Sequence, residues 1–351
     1  MRFIKSLPTL AAAAAGAVLA SSGLPTSAAR AQQPAPPQAY VMKISTPTLH
    51  DIPNKWTEDF AAAVERDSGG RIKPQLFPAS QLGSIPRQIE GTQFGSIQVE
   101  VVPPEFMVGL DPRFEVMAAP ALVESQAHGQ RLATDPAVLK LMLGLGADRG
   151  LHGVGLFIAE QSVIVSRTPL RHLADFKGKK IRIFASQFQS EAFTRLGVTP
   201  VAMSLGDVLP AIQQGAIDGA VSGMGPVAHF HMVDAAKFVT RTGQPAIFLI
   251  AEVNKKWFES LPKDLQQIVE KDAAAASLSV NPYAAEQVKK SEESFTSKGG
   301  ELITLPPAEQ AQMLKTIGSV GPDVSSKNPA LAAAYKIVAD AAARTRKSPS
   351  Q

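Results

Sequence analysis

The chain has 351 residues, 35 Lys+Arg against 31 Asp+Glu, and no cysteine, which excludes disulfides, thiolate metal sites and cysteine nucleophiles together. Its basic excess sits at the start: residues 1–31 hold Arg2, Lys5 and Arg30 and no acid, so the rest carries 32 basic and 31 acidic residues, +1 rather than +4. That balance excludes an overall cationic character suited to nucleic acid or membrane surfaces.

Met1–Lys5 is basic, Leu7–Ala20 is apolar and Ala-rich, and Ala29-Arg30-Ala31 is a small-x-small sequence. This order predicts a secretory signal peptide over residues 1–31, cleaved after about Ala31, and a periplasmic destination. Without a cysteine after the apolar run or a twin-Arg pair, the expected path is general secretion with no lipid anchor. Residues 32–39, rich in Pro and Gln, read as a linker. No later run is long and apolar enough to span a membrane.

From Tyr40 onward, short apolar runs alternate with helical patterns. Strands are predicted at Tyr40–Ser45, Arg71–Phe77 and Ser96–Val102, with helices at Trp56–Asp67 and Pro86–Gly95. Helical spacing covers about Ser125–Ala147, and strand-like runs return at Leu151–Ile158 and Ser162–Ser166. A second cycle follows, with strands at Lys180–Phe184, Thr199–Met203 and Asp218–Ser222, and helices at Gln187–Leu196 and Leu205–Gln214. Ala246–Val253 is another apolar strand. The stretch from Pro262 to about Ser297 reads either as one long helix or as two broken near Ser279–Pro282. The tail from Pro306 is helical again. Such alternation predicts an α/β fold with a mainly parallel sheet, in two lobes with a cleft between them and a long bracing helix. The expected lobes are residues 40–159 plus about 248–298, and residues 160–247 plus about 299–345.

Catalytic signals are sparse. Of six histidines only His229 and His231 are close, and no third ligand accompanies them, so no metal site is expected. In Gly219-Ala220-Val221-Ser222-Gly223 the serine stands one place too late for a nucleophile elbow. Gly144-Leu145-Gly146 follows a helical pattern rather than a strand, and reads as a helix-ending turn rather than a dinucleotide loop. No phosphate loop is present. Neither enzymatic activity nor a cofactor is expected.

Lys177-Gly178-Lys179-Lys180-Ile181-Arg182-Ile183-Phe184 is more informative. In a strand, Ile181 and Ile183 face one side while Arg182 faces the other with Lys180 and Phe184. A guanidinium there belongs to a salt bridge, a solvated edge or a bound carboxylate, whose geometry its planar fork matches.

At these residues the chain resembles the solute-binding subunit of tripartite ATP-independent periplasmic (TRAP) transporters, of the DctP type. The likeness runs from about Met42 to Gly300. It is carried by Gly69-Gly70-Arg71-Ile72 through Phe77-Pro78-Ala79-Ser80-Gln81-Leu82-Gly83, by Leu173-Ala174-Asp175-Phe176-Lys177-Gly178-Lys179-Lys180-Ile181-Arg182, by Leu209–Gly219, and by Trp257-Phe258 with Leu261-Pro262. The resemblance implies that Arg182 clamps a ligand carboxylate between the lobes. It also implies two membrane partners, one small and one large, and delivery of a small organic acid to them.

The family's asparagine after the Asp-Gly pair is replaced here by Ser222. A second family arginine falls near Gln161, and an aromatic position near Leu205. One guanidinium suggests a monocarboxylate, with Met224, Leu205 and Phe188 as an apolar wall. Further candidates are His50 and Asp51 after the first strand, and Glu105 and Phe106 after the third, because open α/β sheets bind ligands at strand carboxyl ends. An ABC-type binding protein, a ligand-sensing subunit and, more remotely, a periplasmic hydrolase or lyase are the competing readings.

Overall fold

A computed structural model describes residues 39–346; the expected signal peptide and all but the last linker residue lie outside the described residues. The chain opens with β1 (Tyr40–Ser45), α1 (Ile52–Asp67), β2 (Ile72–Phe77), α2 (Ile85–Phe94) and β3 (Val99–Val102). Asp51 caps α1 by accepting from the Asn54 N–H at 3.1 Å, and Pro53 occupies its first turn, where a missing N–H costs nothing. Ile52, Trp56, Phe60 and Val64 form its buried stripe, and Gly69 and Gly70, at φ 61° and 73°, turn the chain into β2.

The expected helical stretch near residue 125 divides into α3 (Gln126–Ala133) and α4 (Pro136–Met142), because Asp135 caps a new helix and Pro136 opens it. Next comes β4 (Leu151–Ser166), one 16-residue strand where the sequence suggested two. The second cycle contains β5 (Lys180–Ile183), α5 (Gln187–Arg195), β6 (Thr199–Ala202), α6 (Val208–Gln213), β7 (Gly219–Ser222) and α7 (Met224–His229). β8 (Phe238–Asn254) is 17 residues long, and its polar first half, Thr-Arg-Thr-Gly-Gln-Pro, hid it from the apolar pattern. α8 (Lys255–Ser260) leads to α9 (Lys263–Ser297), a single 35-residue helix. Pro282 removes one backbone donor from α9 without ending it, since buried residues on both sides, from Leu265 to Phe295, hold its course. β9 (Glu301–Thr304), α10 (Pro307–Ile317), α11 (Val320–Ser325) and α12 (Pro329–Thr345) complete the described chain.

The strands join in the order β2-β1-β3-β8-β4-β7-β5-β6, with β9 also on β8. The flanks are parallel, as expected: β1 pairs β2 and β3, and β5 pairs β6 and β7. The centre is not. β4 and β8 run antiparallel along nearly their whole length, and both also pair antiparallel with their outer neighbours β7 and β3. β3 joins the carboxyl half of β8 and β9 its amino half, so the two long strands thread both α/β halves. The fold is the two-lobed α/β architecture braced by α9, which packs on α1, β4 and α7. Three register shifts interrupt the β4–β8 ladder, at Gly153/Gly155, Ile158/Glu160 and Gln161/Val163. The last two lie where the chain passes from one half to the other.

Candidate functional site

A cavity of about 50 Å³ lies at the carboxyl ends of β1, β3, β5 and β7, lined among others by Thr48, Asp51, Phe106, Glu160, Arg182 and Ser222. Open α/β sheets bind ligands at such strand ends. Arg182 is 1% exposed. Ile181 and Ile183 enter the core on the opposite face, as strand alternation requires. The guanidinium is fixed by Nε donating to Met203 O at 3.0 Å and Nη1 donating to Val221 O at 2.9 Å. Its carbon lies 4.6 Å from the Phe184 ring centroid and 6.0 Å from that of Phe106. Among the described residues no carboxylate comes within ion-pair distance of it, and Nη2 donates to no protein group. Burial pushes Arg182 down to about 9, against the opposing pull of Glu105. A planar cation held by carbonyls and stacked on aromatics, with its outer nitrogen unspent, is preorganised for an incoming carboxylate.

Glu160 is the principal lining residue that sequence reasoning missed. The β4 bulge leaves Ala159 unpaired, so Glu160 opposes Ile247 and shares its face toward the cavity. Its carboxylate accepts from Met224 N at 2.7 Å and Gly225 N at 3.3 Å. A Cβ on Gly223 would sit 2.1 Å from Glu160 Oε1, so only glycine admits this approach. A Cβ on Gly225 would meet Asp51 Cβ at 2.8 Å, so Asp51 and Glu160 converge on the same turn. Burial raises each to about 7; the Asn54 N–H opposes this at Asp51, and the two α7 N–H groups oppose it at Glu160. Thr48 Oγ1 lies close enough to Asp51 to favour its ionised form but does not reach hydrogen-bond geometry. Ser222 Oγ is likewise buried without a partner.

Of the residues singled out from sequence, Arg182, Asp51, Phe106, Leu205 and Ser222 line this cavity together. Glu105 is buried beside it, raised by burial to about 8, with Oε2 unpartnered. Gln161 faces away, since the bulge that turns Glu160 inward sends its neighbour to the opposite side. Gln161 and Met224 line a second recess with Arg241 and Glu292. Phe188 lies in the core, stacked on Tyr335 at 6.2 Å between centroids. His50 is exposed, its ring 6.4 Å from that of His229, in a separate recess that also contains His231. Among the described residues no three or more His, Cys, Asp or Glu side chains are grouped so as to hold a metal ion.

Comparison with known proteins is consistent across sequence and fold. Residues 45–327 match the DctP model, described as bacterial extracellular solute-binding protein, family 7. YiiZ of Salmonella typhimurium is 31% identical over 59% of this chain and 64% of its own length, so that match spans just under two thirds of the relative. The 2,3-diketo-L-gulonate-binding periplasmic protein YiaO of Escherichia coli is 27% identical over 70% of this chain and 75% of its own. The C4-dicarboxylate-binding periplasmic protein DctP of Rhodobacter capsulatus is 25% identical over 76% and 80%. Among solved structures, a TRAP periplasmic solute-binding protein of Desulfovibrio salexigens with bound orotic acid superposes with TM-score 0.82, 23% identity and coverage of 87% of this chain and 99% of that one. One from Shewanella oneidensis with bound succinate gives 0.80 and 21%, covering 88% and 100%.

Proposed function

This chain belongs to the family of bacterial extracellular solute-binding proteins, family 7, and we propose that it captures a small monocarboxylate in the periplasm and delivers it unchanged to a TRAP-type pair of membrane subunits. The observation that carries the reading is the buried Arg182 guanidinium, which lies against the Phe184 ring, lines the cavity at the strand ends and forms no ion pair with any described residue. Ligand enters an open cleft between the proposed lobes, Arg182 takes its carboxylate, and the lobes close around it by bending where β4 and β8 change register. Closure removes water and strengthens the pair. Relatives whose names specify 2,3-diketo-L-gulonate and C4-dicarboxylates support an organic acid, while the single guanidinium here favours one carboxylate over two. No helix among the described residues is long and apolar enough to cross a membrane, in keeping with a subunit that hands its cargo to others. Export is assigned to residues 1–31, removed after about Ala31, which intact mass of the periplasmic protein tests.

Isothermal titration against small mono- and dicarboxylates identifies the ligand class, and Arg182→Ala tests the clamp. Loss of a buried charge partner costs about 2–5 kcal/mol, a weakening of roughly 30-fold or more. Wild-type affinity in that variant would rule the clamp out. Tight succinate binding with none for any monocarboxylate would rule out the ligand class.

A further inference from the structure

Resting on the delivery reading, we propose that a recess across the proposed lobe boundary, built from His50, His229, His231, Lys290 and Lys298, docks an acidic segment of one of the membrane subunits. The recess has a volume of about 290 Å³ and is separate from the ligand cavity. Three parts of the chain supply its walls. The loop after β1 carries His50, the end of α7 and the turn after it carry His229 and His231, and α9 carries the two lysines and Gln287. α7 stands between the two sites, with Pro226 on the ligand cavity and Gly225, Ala228 and His229 on the recess. A segment seated there touches both proposed lobes and the bracing helix at once.

Charge selects the partner. Two ammonium groups and three imidazoles line the recess, and no Asp or Glu does. Lys290 pairs with Glu286 at 2.6 Å, an exposed i,i+4 contact weak enough for a partner's carboxylate to displace. Among the described residues Lys298 forms no ion pair; its Nζ donates to His231 Nδ1 at 2.8 Å, which puts the proton of that ring on Nε2 as a donor. Lys237 adds a further ammonium, donating to the Lys298 carbonyl at 3.4 Å. Burial, and then the neighbouring His50 and His231, hold His229 below the usual histidine range. An acidic segment relieves this crowding of cationic and cation-forming groups, and a basic one is repelled.

The backbone presents these rings in fixed positions. His50 and His231 both adopt the left-handed conformation, at φ 58° and 50°, which few non-glycine residues do. Hydrogen bonds hold each of them there. The His50 N–H donates to Asn54 Oδ1 at 2.8 Å, and its carbonyl accepts from Gln287 Nε2 at 2.5 Å. The His231 N–H donates to Ala228 O at 3.2 Å, and its carbonyl accepts from the Asp234 N–H at 3.0 Å. Strained backbone of this kind clusters at binding and switch sites. The His50 and His229 rings meet edge to face, so both proposed lobes offer an imidazole to the same space. Groups ordered before the partner arrives lower the entropy cost of docking.

The test is binding of the mature chain to its cognate pair of membrane subunits in nanodiscs, at low and at high salt. Wild-type affinity should fall about tenfold between roughly 50 and 300 mM NaCl, as screening shortens the reach of the recess charges. The double variant Lys290→Gln/Lys298→Gln should bind about tenfold more weakly at low salt, with a flatter salt dependence and an unchanged melting temperature. His229→Gln, which keeps both lysines, should weaken binding a few-fold. Lys315→Gln/Lys336→Gln removes the same charge from α10 and α12 and should bind as the wild type does. Wild-type affinity in the recess double variant overturns the proposal, as does equal weakening in the control pair. Equal binding to empty nanodiscs also overturns it, since the cations would then be meeting lipid. The two readings fail separately: a wild type that never binds the membrane pair sinks delivery and docking together, whereas binding that survives loss of both lysines sinks the docking surface alone.

Discussion

Glu100 on β3 and Glu252 on β8 are register partners, both fully buried, and none of their four carboxylate oxygens meets a hydrogen-bond partner among the described residues. Ser45, beside Glu100 on β1, is also buried with its hydroxyl unpartnered. Facing residues of this kind carry their side chains on one side of the sheet, about 5 Å apart at Cβ. Gly153 completes the row on β4, where a Cβ would lie 2.6 Å from Leu143 Cα. Burial raises both acids well above the usual carboxylate range, and Glu100 raises Glu252 further. The pair sits in the first half of the sheet, outside the ligand cavity.

Its consequence is a stability that falls with rising pH. A carboxyl whose folded pKa is raised stabilises fully below its unfolded value of about 4.3, and that contribution is lost as pH rises through this value toward the folded one. The melting temperature should therefore decline from pH 5 to pH 8. Glu100→Gln or Glu252→Gln removes one ionisation and gives the remaining carboxyl an amide partner, so the decline should flatten and stability at pH 8 should increase. Parallel wild-type and variant curves would show that the pair does not govern the slope.

Binding should depend on pH through different groups. Asp51 and Glu160 face Thr48, the Asn54, Met224 and Gly225 N–H groups and the distant Glu292, with no protein cation paired to either. Because each stands near 7 before a ligand arrives, affinity for a carboxylate ligand should fall from pH 6 to pH 8, with proton uptake on binding, and Glu160→Gln should lower the number of protons taken up. Titrations in buffers of different ionisation enthalpy measure that count. A pH-independent affinity would remove the acid pair from recognition.

Much of this arrangement was legible in the sequence, and the exceptions share a cause. The strand Tyr40–Ser45 coincides with its apolar pattern, and Arg182 stood out as a guanidinium between Ile181 and Ile183, although the pattern left its partner open and the family resemblance alone pointed to a ligand. Glu160 was not, since strict alternation along β4 would have turned it the other way. The bulge at Ala159 reverses its face, and one unpaired residue leaves no mark in composition or periodicity. The same bulge displaces Gln161 from the cavity. Leu205 reached the wall through a single-turn helix, whereas Phe188, equally apolar, went into the core, because position in space rather than residue type separates wall from core.

Gly223 and Gly225 should be sensitive to a single methyl group. Gly223→Ala sets a carbon 2.1 Å from Glu160 Oε1 and must displace that side chain, while Gly225→Ala presses on Asp51 across the proposed lobe boundary. Both should weaken ligand binding by tenfold or more, because each displaces a side chain that lines the cavity. Gly225→Ala should also raise the radius of gyration of the ligand-bound protein measured by X-ray scattering. Gly299→Ala, where the Cβ has no atom within 4 Å but φ is 82°, is the control: it strains the backbone and should leave affinity unchanged.

One hydrogen bond in the attachment of α9 to the first half is removed by deleting a single atom. Trp56 is fully buried between Phe60 and Phe157, and its indole N–H donates to Ser277 Oγ on α9 at 3.0 Å. Gly155 on β4 lets the two meet, since a Cβ there would lie 2.9 Å from Ser277 Oγ and 3.1 Å from Trp56 Cζ2. Ser277→Ala leaves that N–H without a partner inside an apolar cluster, a cost of about 1–3 kcal/mol. Trp56→Phe loses the same bond and opens a void, so it should cost more. In the double variant the orphaned donor is absent, and the combined loss should fall below the sum of the two singles. Urea denaturation of the four proteins measures this coupling. Strict additivity would mean that the indole and the hydroxyl share no energy, and that the other contacts of α9 hold it to the first half.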